Sequence, residues 1–192
     1  MKTLDVINAA LATVGEAPLN AIDNNHPFVV VISRKLKELN RTIQSNKSRG
    51  WWFNTETVTL LQEVGGKVPV PTDIIALQCT DRNKKLHPRK GYLYDPSKAT
   101  NELNIDVEIE AVREQEFDDL PDEAQQAVST ATIYSFQSDY EADGQKTGIQ
   151  RDLANLAMRD LRSAEITNNR PNTQNNPTIA RIVSHSLGSF RR

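Results

Sequence analysis

The run Ser48-Arg49-Gly50-Trp51-Trp52-Phe53-Asn54-Thr55-Glu56 sits where a long amphipathic pattern stops and an alternating, β-rich pattern begins. A chain with such a break must join two kinds of structure. The run holds both tryptophans and one of the five phenylalanines of a protein that is only 6% aromatic. Trp51, Trp52 and Phe53 are therefore the expected inter-domain junction, where a helical layer is pinned against a sheet.

On the N-terminal side the apolar period is helical. Leu4, Ile7, Leu11 and Val14 form one stripe, with Thr3 placed to cap the start and Gly15 to stop the helix. Glu16 to Pro27 is rich in turn formers and reads as a surface connection. A second helix is expected on the spacing of Phe28, Ile32, Leu36, Leu39 and Ile43.

Beyond the junction the period falls towards two. Thr57 to Leu61 and Asp73 to Cys79 read as strands, and Val68-Pro69-Val70-Pro71 as an edge or entry loop, since proline donates no ladder bond. Tyr92-Leu93-Tyr94 and Leu103 to Val112 are expected to complete a small sheet. In the last segment Leu103, Ile105, Val107, Ile109 and Ala111 alternate with polar residues, which predicts one buried and one wet face. Arg82, Lys84, Lys85, Arg89 and Lys90 make a basic loop between strands, a contact for phosphate or an acidic partner unless it is simply a solvated hairpin loop.

From Leu120 the helical period returns. Pro121, Asp122 and Glu123 open a third helix rich in small residues that runs to about Tyr140. A fourth, from about Gln145 to Glu165, carries a mostly apolar stripe of Ile149, Leu153, Leu156 or Ala157, Asp160 or Leu161, and Ala164. The order helices, strands, helices defines an α+β chain. It divides into residues 1–50 with 114–166 (helical), 51–113 (β-sheet) and 167–192 (an extended C-terminal arm).

A chain of 192 residues buries about 70% of its unfolded surface and needs no disulfide or metal to hold it. Cys79, the single cysteine, reads as a buried small residue. The N-terminus shows no apolar signal core and no long apolar span occurs, so a soluble, unexported chain is expected. The net charge of −2 hides an asymmetry: residues 167–192 carry four arginines and no acid, leaving −6 on residues 1–166. That tail is too polar to fold alone and could reach ~85 Å when extended. Its apolar residues have nothing local to bury against, the pattern of an arm that orders on a partner.

Chemistry-bearing motifs are sparse. His26, His87 and His185 lie in separate segments without metal or catalytic spacing, and no phosphate-cradling glycine loop or nucleophile elbow is present. No cofactor or metal is expected. The row Asp106, Glu108, Glu110 has the spacing of a solvated strand face. The alternative reading is a glycan-cleaving hydrolase using Glu56 or Glu108 with a second carboxylate.

Four ordered pieces together resemble the tail tubular protein A family, the head-to-tail adaptors of short-tailed phages (podoviruses). Ile7-Asn8-Ala9-Ala10-Leu11 with Val14-Gly15-Glu16-Ala17-Pro18 resembles the family's opening helix and its stop. Arg41-Thr42-Ile43-Gln44 followed by Ser48 to Glu56 is similar to its most specific signature. Gly91-Tyr92-Leu93-Tyr94-Asp95 and Phe117-Asp118-Asp119-Leu120-Pro121 resemble its β-strand and its entry to the helical return. The chain departs from the family pattern in the extra residues Ser45 to Ser48 and in the Phe28-Val29-Val30-Val31-Ile32 opening of helix two.

The resemblance implies a helical bundle formed by N-terminal and C-terminal helices, with a small antiparallel β-domain inserted between them. It implies a virion protein, assembled in the host cytoplasm, that forms a twelve-subunit ring beneath the portal protein. Such a ring continues the channel through which double-stranded DNA passes without specific binding, and it supports the tail nozzle protein and tail fibres. On that reading the arm residues Ile179, Arg181, Ile182, Leu187, Phe190, Arg191 and Arg192 are the expected portal contact.

Overall fold

The computed structural model describes residues 1–81, 83–140 and 143–169. Four helices, α1 (Thr3–Thr13), α2 (Pro27–Ser45), α3 (Asp122–Tyr140) and α4 (Gly144–Asn168), enclose five strands in chain order: β1 (Thr55–Leu60), β2 (Ile74–Cys79), β3 (His87–Arg89), β4 (Tyr92–Tyr94) and β5 (Val107–Arg113). The fold is α+β, with the strands between N-terminal and C-terminal helices.

The helix ends follow local chemistry. Gly15 takes φ +80° after α1, and the Gly15 and Glu16 N–H groups donate to Ala12 and Leu11 at 3.2 and 3.1 Å. This is the glycine stop that the sequence predicts. The N-terminal expectation is corrected: Lys2 is the cap, its N–H donating to the Asp5 carboxylate at 2.8 Å. Thr3 is instead the first helical residue, and its N–H and hydroxyl donate to Asp118 at 2.9 and 3.0 Å. At the head of α4, the Asp143 side chain accepts from the N–H groups of Gln145 and Lys146.

α3 lies at the centre of the helical layer and packs against α1, α2 and α4. Its small residues permit this, and Ala124, Ala127, Val128, Ser129, Thr130, Thr132 and Phe136 are all buried. One core gathers Ile7, Leu11, Val29, Ile32 and Phe136 between α1, α2 and α3. Phe28 and Tyr140 extend it, with ring centroids 5.7 and 4.8 Å respectively from Phe136. A second core joins Val6, Leu36, Trp51, Phe117, Leu120, Val128 and Leu161.

Two stripes differ from the sequence expectation. The buried side of α2 is Val29, Ile32, Leu36, Asn40 and Gln44, so the lower half of the helix buries amides where Leu39 and Ile43 were expected. The buried side of α4 is Ala154, Ala157 and Leu161. Ile149, Leu153 and Leu156 are 57%, 44% and 48% exposed.

The strands form two sheets rather than one. β5 is central in the first, antiparallel to β1 on one side and β2 on the other, with Ile109 opposite both Val58 and Cys79. Both edges of β5 are thus occupied, and β4 pairs with β3 in a separate ribbon. His87–Arg89, expected as loop, is the first arm of that hairpin, and Lys90 and Gly91 turn it with φ +53° and +80°. The edge role of the Pro69 segment holds: Val70 N–H donates to Gly91 and Leu93 N–H to Val68, at 2.8 and 2.9 Å.

β5 is also shorter than its alternation predicts. Asn104 adopts φ +55°, and the N–H groups of Leu103 and Asn104 both donate to Gly66, at 2.7 and 3.0 Å. That turn breaks the strand, leaves Ile105 41% exposed and starts regular pairing at Val107. Leu60, Val68, Leu86, Leu93, Val107 and Ile109 meet in one core, so the two sheets share it.

Candidate functional site

The junction is built where α2 ends. Asn46, Lys47 and Ser48 all take left-handed backbone, φ +40°, +56° and +69°, and the Asn46 side chain donates to the Gly50 carbonyl at 2.8 Å. Gly50 follows at φ +66°, where a Cβ would lie 2.3 Å from Thr55 Oγ1 and 2.8 Å from Val112 Cγ2. Only glycine fits between the turn and the sheet. Trp51 then enters the helix-side core at 3% exposure, its indole N–H donating to Ile43 at 2.6 Å. Trp52 and Phe53 pack against that core from the surface as an edge-on pair with centroids 5.1 Å apart. The Trp52 N–H reaches Glu165 of α4 at 2.9 Å.

Four amides hold the layers together around this point. Gln44 makes a reciprocal pair with the Gln115 backbone, donating to its carbonyl and accepting from its N–H, both at 2.8 Å. Asn40 donates to the same carbonyl at 2.9 Å. The Gln115 side chain donates to Phe53 at 2.8 Å. Asn54 accepts from the Trp51 N–H at 2.8 Å and donates to Gln44 and Arg113, each at 3.2 Å. Sequence reasoning missed Asn40 and Gln44, although they continue the three-and-four spacing of Val29, Ile32 and Leu36. A cleft of about 210 Å³ lies beside them, lined by Leu36, Lys37, Asn40, Glu114, Gln115 and Phe117.

Arg113, at the end of β5, pairs with Glu56 of β1 and with Asp73 just ahead of β2, and so ties all three strands. The two carboxylates, Glu56 first, hold its guanidinium protonated above the ordinary arginine value. Glu56 therefore has a structural partner. Asp106 precedes β5 and accepts from the Gln62 N–H at 2.9 Å, while Glu108 and Glu110 stand on the wet face opposite Thr59 and Thr57. None of Glu56, Glu108 and Glu110 lines the cleft beside α2 or the clefts of the β3–β4 hairpin.

Cys79 is buried in the sheet core, and burial pushes its thiol up, away from the thiolate. His26 precedes α2 and His87 opens β3, far apart along the chain. Among the described residues no cluster of three His, Cys, Asp or Glu side chains could hold a metal ion, and no helix is long and apolar enough to cross a membrane. His185 and the seven arm residues, Ile179, Arg181, Ile182, Leu187, Phe190, Arg191 and Arg192, lie outside the described residues.

The described surface presents an apolar α4 face and a basic hairpin, beside a helical layer hydrogen-bonded to a sheet. A family model for tail tubular proteins matches residues 4–177, and the chain belongs to that family. It is a structural protein of a phage tail. A curated relative, tail tubular protein A of Klebsiella phage KP34, is 28% identical over 137 residues, 70% of this chain and 72% of the relative.

Proposed function

We propose that the protein is the head-to-tail adaptor of its phage. In this reading copies of the chain close into a ring of twelve that joins the portal to the tail nozzle, continues the DNA channel and supports tail fibres. The reading divides the chain into a helical domain (1–50 and 114–166), a β-domain (51–113) and an arm (167–192). The arm is assigned to the portal, with Ile179, Ile182, Leu187 and Phe190 burying apolar surface and Arg181, Arg191 and Arg192 meeting acidic groups. Assembly of such a ring belongs to the host cytoplasm, before the virion is complete.

One observation carries the ring. Ile149, Leu153 and Leu156 lie on one side of α4, within a 40–60° sector of a helix that advances about 100° per residue. All three are exposed among the described residues. A helix that buries alanines inward and shows Ile and Leu outward has a second partner to cover them. Head-to-tail contact between copies, in which unlike faces meet and the rotation closes, is the arrangement that gives a ring.

The test is electron microscopy of the purified protein mixed with the portal of its own phage. A twelve-fold collar on one face of the portal is expected. Bare portals, or a layer of another symmetry, would overturn the reading.

A further inference from the structure

The run leading into the β3–β4 hairpin, residues 82–90, holds five Lys and Arg and no acid, the densest short run of positive charge in the chain. Residues 82–98 contain six Lys and Arg and one Asp, in a protein whose total charge is −2. Arg82 lies outside the described residues. Lys84, Lys85 and Lys98 line one cleft, Arg89 and Lys90 line another, and Thr100 borders both. The cations thus surround one tip.

Asp81, Asp95 and Glu102 adjoin these cations and leave residues 81–102, with six Lys and Arg, at a net +3. Asp95 is engaged by its own loop, its carboxylate accepting from the Ser97 hydroxyl at 2.5 Å and from the N–H groups of Ser97 and Lys98 at 2.9 and 3.4 Å. The Ser97 hydroxyl is the main reason its carboxyl stays below the usual carboxylate range. Asp81 meets Lys84 only at 3.8 Å, with both side chains over 40% exposed. Glu102 is the other acid of the first cleft.

The apolar content of the tip separates it from α4. Leu86 and Leu93 are buried in the core, and Ile105, 41% exposed, is the one exposed large hydrophobic side chain among the described residues that line either cleft. Protein interfaces are anchored by aromatic and apolar groups and are depleted in lysine at their centres. Tyr92 and Tyr94 are already covered by cations, Lys67 at 5.8 Å and Arg89 at 4.7 Å, so neither presents a free ring for base stacking. Apart from Arg89, which lies over Tyr94, what remains is a set of lysine ammonium groups, point charges that hold phosphates without reading bases.

We propose that this hairpin tip is a sequence-independent contact for the phosphate backbone of duplex DNA. The choice of partner rests on the adaptor reading, which brings duplex DNA past the protein. The contact is weak and salt-sensitive, as a channel through which DNA must move requires.

The experiment is fluorescence anisotropy of the full-length protein with a labelled duplex of about 30 base pairs, across ~50 to 200 mM salt. With four to five phosphate contacts, log K against log salt should fall with a slope of about −4. The variant Lys85→Glu/Lys90→Glu should bind at least ~10-fold more weakly at the lowest salt, with a slope shallower by about 2. Arg34→Glu/Lys37→Glu on α2 changes the net charge equally and should shift affinity less than ~2-fold, and thermal melts of both variants confirm folding.

Absence of duplex binding by the wild type at the lowest salt, a flat salt dependence, or equal losses in the two variants would overturn the proposal. If the wild type ignores DNA while the Lys85→Glu/Lys90→Glu variant drops out of portal–tail assemblies, the tip is instead a contact for an acidic protein. The adaptor reading fails separately, on bare portals, because the DNA assay requires no ring.

Discussion

α3 and α4 invert the ordinary relation between residue size and burial. α3 is built largely of Ala, Ser and Thr, yet it is buried on most of its circumference. α4 carries Ile149, Leu153, Leu156 and Ile166, yet all four are exposed and its inward residues are Ala154, Ala157 and Leu161. Small residues let α3 stand among three helices at short separation, so its sequence is written for the inside of one chain. The larger residues of α4 face outward, and none of the described residues covers them. A helix with one partner has one apolar stripe; a helix with two partners has two, and the stronger stripe need not be the one buried in the monomer.

The inner side of that comparison breaks with the largest effect at Trp51, which shares a core with Ala157 and Leu161. Trp51→Ala should cost ~3–5 kcal/mol, because it removes a buried indole and one of the two donors to the Ile43 carbonyl, which keeps the Asn46 N–H. Urea unfolding followed by circular dichroism measures it, and a loss under ~1 kcal/mol would mean that the junction does not hold the layers together. Gln44→Leu comes next, at ~1–3 kcal/mol, even though it adds apolar surface to a fully buried position. The cost arises because the Gln115 N–H loses its acceptor, whereas the Gln115 carbonyl keeps the Asn40 donor. Stability equal to the wild type would show that the amide lattice is replaceable by packing.

Periodicity and turn chemistry made the order of elements legible, because those signals are local. Gly15 stops α1 through its own backbone freedom, and the alternation Val107, Glu108, Ile109, Glu110 gives one dry and one wet face whatever lies across the sheet. Leu103 and Ile105 continue the same alternation but are not in the strand, since Asn104 turns on bonds to Gly66, almost forty positions away. Asn40 and Gln44 fell outside the apolar spacing, and their partner, the backbone at Gln115, lies more than seventy positions on. Trp51 stood out at the break in periodicity and in an aromatic-poor chain, whereas the reason Gly50 precedes it appears only once Val112 is placed beside it. The tip charge was legible as a cluster, but not that Leu86 and Leu93 turn inward and leave Ile105 as the exposed apolar group beside it.

The outer side of the comparison gives the smallest effect on stability and the sharpest effect on assembly. Leu153→Lys/Leu156→Lys places two good helix formers at half-exposed positions, and lysine stems keep part of the leucine contact, so the loss should stay below ~1 kcal/mol. If the stripe is covered only in the monomer by its own flanking side chains, that is the whole effect, and the collar on the portal forms as before. If it is covered by a neighbouring copy, each interface must bury two ammonium groups against apolar surface. The cost repeats at every contact around the ring, so the collar should be absent even though the variant melts with the wild type. A normal collar from the variant would leave the ring to be held by another surface and would return the inversion between α3 and α4 to a feature of the single chain.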